Sequence, residues 1–335
     1  MRLVTGATGI VGSHVVLALC REGHRVRALV RAGSDRRFVE RLLGREPDGG
    51  ELLARVHWCE GDVLDPVSLA AAMDGVRQVV HCAALVSFDP RDDEALLEVN
   101  VEGTAHVVNA ALEAGVERLC HVSSIAALGT ATDGAPVTED TPWAEDEKRS
   151  VYAVSKYAAE LEVHRGVAEG LDAVLVNPSL IIGPGLPGRS SRTIADRLRK
   201  GTRWYPPGRT SVVDVRDVAE ACVRLLREPG AGERYLIAGE AITYERLFGL
   251  FCAAFGKPAP TRPIRPWMLE LAWRVERLRT LLFRRRPLIT RDTARTALRQ
   301  RRFDDSKLRR RLGLTLRPSE EAVSYTVSLM DARPA

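Results

Sequence analysis

Two residues able to exchange a proton stand four positions apart in the segment VYAVSKYAAELE, residues 151–162. If the segment is helical, Tyr152 and Lys156 share one face, because positions i and i+4 are neighbours on a helix. A tyrosine with its ordinary pKa of about 10 gives up its proton too reluctantly for chemistry at neutral pH, and a neighbouring ammonium lowers that pKa. The pair therefore fits acid–base catalysis, although a half-buried tyrosine beside a solvated lysine fits the same spacing.

A second motif, VTGATGIVGSHV, places Gly6, Gly9 and Gly12 between a strand-like run and an amphipathic helical pattern. Glycine permits a sharp turn and a close backbone approach to a pyrophosphate, which the free N–H groups and dipole of a helix N-terminus attract. In this context the three glycines indicate a dinucleotide-binding loop, with a ligand-free glycine-rich turn as the minor alternative.

The end of the second strand-like run indicates which dinucleotide binds. A carboxylate there suits the ribose of NAD, whereas an arginine accommodates the 2′-phosphate of NADP. Arg31 stands at this point, Arg36 and Arg37 follow, and Asp35 is the only nearby acid. We predict NADP as the cofactor, with NAD as the alternative, and Arg31 as the phosphate ligand; a plain surface role for Arg31 stays open.

Asp62 ends the third strand-like run, in GDVLD. It is predicted to accept a hydrogen bond from the adenine amino group, with the backbone of Val63 beside it. The alternative is that Asp62 caps a helix beginning near Pro66, a role for which Asp65 is better placed.

The elements that must position these residues alternate between β-branched runs and helical patterns. The predicted strands are Arg2–Thr5, Val26–Arg31, Val56–Asp62, Gln78–Ala83, Leu119–Ser123 and Ala173–Asn177, and the predicted helices include 67–73, 94–114 and 151–169. Strands that alternate with helices predict an α/β fold with a doubly wound parallel sheet covered on both sides.

The alternation breaks beyond residue 183, where Gly- and Pro-rich loops appear, and a mostly helical pattern begins at 243. We predict a dinucleotide-binding domain of residues 1–183 and 211–238 and a smaller, mostly helical substrate lobe of residues 184–210 and 239–335.

The composition is that of a globular protein, with 45% hydrophobic and 28% charged residues and a net charge of +5. No run approaches the ~18–20 apolar residues of a transmembrane helix, the N-terminus lacks a signal-peptide layout, and the six cysteines form no CxxC pair. We expect a soluble, cytoplasmic protein with reduced thiols and no metal site. Arginine clusters occur without a nucleic-acid-binding module, so no nucleic-acid partner is expected.

Further motifs follow in an order typical of one enzyme family, between residues 3 and 219: TGATGIVGSHV, GDVLD, VVHCAALVSF, VNVEGT, VSSIAALG, YAVSK, VNPSLIIGPG and VDVRDVA. On these motifs the chain resembles the extended short-chain dehydrogenases/reductases of the NAD-dependent epimerase/dehydratase superfamily. Within them it is most similar to the branch of dihydroflavonol 4-reductase, 3β-hydroxysteroid dehydrogenase and hopanoid-associated epimerase-like proteins. The resemblance implies a Rossmann-type fold and a homodimer formed through the helices near 94–114 and 151–169.

The resemblance also implies roles for individual residues. Tyr152 becomes the catalytic acid/base and Lys156 its partner, which also holds the nicotinamide ribose. Ser124 would stabilise the substrate oxygen, with Ser123 as the alternative. Asn100 in VNVEGT matches an asparagine near the active site, although a buried amide bonded within its own helix is nearly as well supported.

For the cofactor, the resemblance assigns binding to residues at the ends of several strands, whereas His81 is expected to be structural. The assigned residues are Gly6, Thr8, Gly9, Ile10, Gly12, Arg31, Asp62, Val63, Ala83, Lys156, Asn177, Pro178 and Ser179.

The resemblance leaves several reactions open, and we favour NADPH-dependent reduction of a ketone or aldehyde in an apolar, ring-containing substrate. Ile125 and Ala126 stand where related dehydratases carry an Asp-Glu pair, so dehydration is not expected. A nucleotide-sugar epimerase with tightly bound NAD(P), using Arg216 or another arginine for the diphosphate, is one alternative; a non-catalytic NADP-binding regulator is the second. Four aromatic residues are predicted either to line an apolar pocket or to belong to the core: Trp204, Tyr205, Trp267 and Trp273.

The segment PWMLELAWRVERLRTLLFRRR carries apolar residues on one helical face, followed by three arginines. These residues are Met268, Leu271, Val275, Leu278 and Leu282. Such a helix fits peripheral contact with an anionic membrane. Packing on the substrate lobe explains the same stripe and is the preferred interpretation.

Overall fold

The computed structural model describes residues 1–131, 134–144, 148–188, 192–283, 286–287 and 289–330. In chain order its strands are β1 (Arg2–Thr5), β2 (Val26–Val30), β3 (Val56–Glu60), β4 (Gln78–His81), β5 (Arg118–Val122), β6 (Ala173–Pro178), β7 (Leu180–Ile182), β8 (Trp204–Tyr205), β9 (Arg209–Asp214), β10 (Arg234–Ile237), β11 (Glu240–Thr243) and β12 (Arg262–Pro263).

The α-helices are α1 (Ile10–Arg21), α2 (Arg37–Gly44), α3 (Gly49–Ala54), α4 (Pro66–Met73), α5 (Asp93–Leu97), α6 (Gly103–Glu113), α7 (Val151–Ala168), α8 (Arg192–Leu198), α9 (Val215–Leu225), α10 (Tyr244–Ala254), α11 (Pro266–Phe283), α12 (Arg291–Thr296), α13 (Ser306–Leu312) and α14 (Ser319–Met330). A π-helical turn, Glu98–Glu102, joins α5 to α6, and short 3₁₀ turns occupy Pro90–Asp92 and Ile125–Ala127.

Seven parallel strands form the main sheet in the order β10-β6-β5-β4-β1-β2-β3. The chain builds outward from β1 to β3, then returns to place β4 on the other side of β1. The carboxyl ends of β1 and β4 therefore flank a topological switch point, the place where open α/β sheets bind ligands. The predicted α/β fold with a doubly wound parallel sheet is confirmed.

Apolar residues that alternate along the strands fill both faces of this sheet. Val4, Val80 and Cys120 belong to the core on the side of α1 and α9, whereas Leu3 and Leu119 belong to the core on the side of α4, α6 and α7. Burial on both faces explains why these strands read as nearly continuous apolar runs.

Small sheets and helices complete the chain. β9 pairs with β7 and β11, and β8 pairs with β12. A separate apolar cluster lies between β7, β9 and β11 and the helices α8, α10 and α14. The division into two lobes stays a prediction. Leu308 and Leu312, which that division gives to the substrate lobe, pack in the core on the α1 side of the main sheet.

The predicted packing of the apolar face of α11 against the substrate lobe is wrong. Leu271, Val275, Leu278 and Leu282 are exposed, and the buried side of the helix carries Leu269 instead. A helical period identifies which residues share a face, but not whether that face meets protein or solvent.

Of the helices in the described part of the chain, none combines the length and apolar character needed to cross a bilayer. Arg284 and Arg285, from the cluster after α11, lie outside the described residues.

Candidate active site

Helix α7 carries the tyrosine–lysine pair at its first turns. The Ser150 side chain caps the helix by accepting a hydrogen bond from the Ala153 N–H at 3.2 Å, which fixes the start of the helix just before Tyr152. Tyr152 is half-buried and Lys156 is 2% exposed. The helix thus brings a phenol and an amine to the carboxyl side of the main sheet.

Tyr152 contacts two side chains that come from other elements. Its ring packs edge-on against Phe88, with centroids 5.6 Å apart, and its side chain is hydrogen-bonded to Ser124. Burial raises the pKa of Tyr152, and the Ser124 hydrogen bond only partly opposes that shift. The predicted lowering of this pKa is wrong for the protein alone, since loss of water outweighs the one favourable contact, the Ser124 hydrogen bond.

Lys156 is anchored to main chain. Its Nζ donates to the Val122 carbonyl oxygen at 2.9 Å, where β5 ends. Burial lowers the pKa of Lys156 to about 8, against the opposing attraction of the Glu160 carboxylate. The amine is therefore still mostly protonated at neutral pH, and it is held at the strand end.

The two candidate serines after β5 differ in their surroundings. Ser124 caps the 3₁₀ turn by accepting from the Ala126 N–H at 3.1 Å, and it also reaches Tyr152. The Ser123 hydroxyl is buried and has no hydrogen-bond partner among the described residues. The structure thus brings Ser124, rather than Ser123, to the tyrosine.

Asn100 ties two parts of the site together. Its Oδ1 accepts from the Leu85 N–H at 2.7 Å, and its Nδ2 donates to the Leu85 carbonyl at 3.0 Å and to the Ser155 hydroxyl at 2.9 Å. The alternative of an amide bonded within its own helix is wrong, because these partners lie on the loop after β4 and on α7. Ser155 stands between Tyr152 and Lys156, so Asn100 fixes the loop that carries Phe88 against the helix that carries the pair.

The glycine loop joins β1 to α1 beside this site. Gly6 has a φ of +62°, and a Cβ there would lie 2.6 Å from the Ala83 nitrogen, while a Cβ on Gly12 would lie 2.2 Å from the Gly6 carbonyl oxygen. Gly9 occupies the N-cap of α1 without a side-chain cap. The loop is thus closely packed and leaves the helix N-terminus without a side-chain acceptor, as a phosphate site requires. Thr8 and Ile10 are partly exposed in the same loop.

After β2, Arg36 and Arg37 contact neighbouring side chains, whereas Arg31 is left exposed to solvent. Arg37 holds both oxygens of Asp35, at 2.9 and 2.7 Å, and these hydrogen bonds lower the pKa of Asp35 to about 2. Arg36 lies over the Trp58 ring at 5.1 Å. Arg31 is exposed and forms no ion pair with the residues that the structure describes.

Two acids follow the end of β3, and the structure tests only the capping role predicted for the second. Asp65 caps α4 by accepting from the Val67 N–H at 3.1 Å, as expected, and Asp62 accepts from the Leu64 N–H at the same distance. Val63 is buried against Gly103.

The strands β4 and β6 contribute the remaining predicted residues. His81 is hydrogen-bonded to Thr5 at 2.7 Å and to Thr104 at 3.1 Å, which confirms a structural role, and burial lowers its pKa to about 3. The Ala83 N–H donates to the Thr5 hydroxyl at 3.2 Å. Ser179, next to Pro178, donates to the Ala238 carbonyl at 2.6 Å.

Sequence reasoning missed a buried network behind the site. Asn177 donates from Nδ2 to the Ser124 carbonyl at 3.0 Å and to the Glu160 carboxylate at 2.5 Å, and Glu160 pairs with Arg234 at 2.9 Å. Glu160 lies one turn beyond Lys156 on α7 and is fully buried. In the sequence, only the four-residue spacing between Lys156 and Glu160 indicated that Glu160 lies near the site. Phe88 was missed as well, because nothing local marks it as a neighbour of Tyr152.

The four aromatic residues predicted for a pocket or for the core do not form one group. Trp204 is 40% and Trp267 is 61% exposed, whereas Tyr205 and Trp273 are half-buried. The prediction that they all belong to the core is therefore wrong for Trp204 and Trp267.

Residues 2–238 match the model of a family described as the NAD dependent epimerase/dehydratase family. A Synechocystis protein whose name includes dihydroflavonol 4-reductase is 33% identical over 97% of this chain and 92% of its own length. Sterol demethylase protein B of Methylococcus capsulatus is also 33% identical, over 97% of both chains. Cinnamoyl-CoA reductase 1 of Oryza sativa subsp. japonica is 36% identical over 71% of both chains.

Proposed function

This chain belongs to the NAD dependent epimerase/dehydratase family, and from that premise we propose that it is an NADP-dependent reductase of an apolar ketone or aldehyde. The observation that carries the proposal is the Ser124–Tyr152 hydrogen bond beside a lysine anchored at the end of β5. Two similar proteins bear reductase names and a third bears a sterol name, which supports reduction and an apolar substrate.

In this proposal each side chain has one task. NADPH, when bound, supplies the hydride. Tyr152 gives its proton to the carbonyl oxygen, to which Ser124 also donates a hydrogen bond. The raised pKa of Tyr152 keeps the phenol protonated at neutral pH, which is the form that reduction consumes. Lys156 supplies positive charge that favours the phenolate left behind.

The cofactor preference rests on the end of β2. Asp35 is occupied by Arg37 and is a poor acceptor for a ribose hydroxyl, whereas Arg31 is exposed and available for a 2′-phosphate. Gly6, Gly9 and Gly12 would hold the pyrophosphate at the N-terminus of α1. Lys156 and the Asn177 segment would lie at the nicotinamide end.

A nucleotide-sugar epimerase is less well supported. Arg216, the candidate diphosphate ligand, is bound to both oxygens of Asp214 at 3.0 and 2.6 Å and lies over the Tyr325 ring at 4.1 Å. A diphosphate would have to displace this carboxylate. The free state of all six cysteines supports the proposed cytoplasmic, reducing location.

The purified protein should be tested with NADPH and NADH against panels of apolar ketones and aldehydes and of nucleotide sugars. Net oxidation of NADPH supports the reductase. Sugar interconversion without net cofactor consumption would replace it with the epimerase, and tight NADPH binding without any turnover would favour a regulator.

Paired variants assign the roles. Tyr152→Phe should lower kcat by at least about 100-fold while leaving NADPH affinity within about threefold, because it removes only the proton donor. Ser124→Ala should lower kcat/KM by at least about tenfold, and Ser123→Ala, the matched control, should stay near the wild-type value. Equal losses in both serine variants would contradict the assignment of Ser124.

A further inference from the structure

Helix α11 presents an apolar face to solvent. Five large side chains form what we call the α11 stripe, each more than half exposed: Trp267, Leu271, Val275, Leu278 and Leu282. At 100° per residue they fall within an arc of about 80°. Leu269 and Glu276, 5% and 9% exposed, occupy the opposite side and hold the helix on the protein. Single exposed apolar residues are normal on a surface, but a continuous stripe marks an interaction site.

The sequence segment that contains the stripe is strongly basic. Residues 262–286 contain eight arginines and two glutamates, a net charge of +6, whereas the whole chain carries +5, so the remaining residues sum to −1. On the helix, Arg274 and Arg277 lie on one side of the stripe and Arg279 on the other, by the same 100° spacing. Arginine at the edges of an apolar face keeps its charge in the headgroup region while the stem contacts apolar surface.

We propose that α11 lies in the surface of an anionic lipid bilayer, with the α11 stripe inserted among the acyl chains. An apolar arc flanked by cations is complementary to such a surface. A second copy of the chain fits less well, because pairing two stripes would bring two segments of charge +6 together. The helix lies on the membrane and does not cross it, since it lacks the apolar character of a span.

The end of α11 lies close to the candidate active site. Arg286, three residues past the helix, pairs with Asp92 at 3.2 Å, and Asp92 accepts a hydrogen bond from Ser87 at 2.7 Å. The next residue, Phe88, contacts the Tyr152 ring. A bilayer-bound α11 therefore brings the loop that carries Phe88 near the lipid, from which an apolar substrate can reach Tyr152. Membrane binding itself does not depend on the proposed reductase activity.

Vesicle flotation tests the inference directly. The full chain should float with phosphatidylcholine vesicles that contain roughly 30% phosphatidylglycerol, should bind pure phosphatidylcholine more weakly, and should be released as salt is raised. The double variant Leu271→Glu/Leu278→Glu should partition at least about tenfold more weakly. Val67→Glu changes an even more exposed apolar residue, on α4 and outside the stripe, and should bind like the wild type.

A second measurement reports insertion without disturbing the stripe's charge. Brominated acyl chains should quench part of the wild-type tryptophan fluorescence, and Trp267→Phe should lose that part. Wild-type binding that is absent, insensitive to phosphatidylglycerol or unchanged in the double variant would overturn the proposal. So would a change in the oligomeric state of the double variant by light scattering, which would show that the stripe joins copies of the chain. If the double variant melts early, the Trp267→Phe quenching result decides.

Discussion

Asn100→Ala should destabilise the fold by about 2–3 kcal/mol. The side chain satisfies both backbone groups of Leu85, and removal leaves that N–H and C=O without the partners they have in the structure. Each stranded buried polar group costs about 1–3 kcal/mol, and Leu85 is only partly buried, so the lower part of the summed range applies. Alanine has a higher helix propensity than asparagine, which offsets at most about 0.7 kcal/mol of this loss in the free energy of unfolding.

Urea denaturation followed by circular dichroism gives the free energy of unfolding. The matched control is Asn109→Ala on α6, where an exposed side chain loses one hydrogen bond from Arg165. That variant should stay within about 0.5 kcal/mol of the wild type. If Asn100→Ala is as stable as Asn109→Ala, the amide does not hold the Leu85 loop. In an active preparation, kcat/KM should also fall, because the same loop carries Phe88.

Three further results are expected. Arg31→Gln should lower kcat/KM for NADPH by about tenfold or more and leave the NADH value within about threefold. The control variant Arg41→Gln, at an exposed arginine of α2, should change neither value. Equal losses with both cofactors would contradict the 2′-phosphate role. The free energy of unfolding of the wild type, minus that of Lys156→Met, should rise between pH 8 and 10.5 by up to about 1.4 kcal/mol per pH unit. In this range Lys156 keeps its proton in the unfolded chain but has released it in the folded chain, so a rise in pH favours the folded state. A flat difference in urea titrations would show that the Lys156 pKa is not lowered. Leu161→Glu should convert a homodimer into monomers by light scattering, because Leu161 is 48% exposed on a helix assigned to the dimer, and Val67→Glu should not; a wild-type monomer would refute the dimer.

The main sheet was predictable because local patterns encode it. Each central strand is buried on both faces, so it appears as a short apolar run, and the loop between β1 and α1 needs glycine at Gly6 and Gly12. The helices α2 and α3 were not assigned, although the buried Phe38, Val39, Leu42 and Leu43 of α2 recur at helical spacing. The π-helical turn was not foreseen either, because one extra residue barely disturbs a helical period.

The site was only partly predictable, for a different reason. The i+4 spacing placed Tyr152 and Lys156 on one face, but it could not show that the amine would bond the Val122 carbonyl. Whether the pKa of Tyr152 is raised or lowered depends on how deeply its side chain is buried, and residues distant in sequence, including Phe88, determine that burial. The α11 stripe shows the same limit, since its period was read correctly and its surroundings were not.

The π-helical turn Glu98–Glu102 has one consequence for how this chain tolerates change. A π turn holds one residue more than an α turn, so it behaves as an insertion between α5 and α6. Deleting Val101 would let both helices continue as one regular helix with their buried faces unchanged, and only the widened turn that carries Asn100 would close up. Asn100 would then swing away from Leu85 and Ser155. The extra residue of the π turn positions the Asn100 side chain, so deletion of one residue here would disrupt the candidate site while preserving the helix.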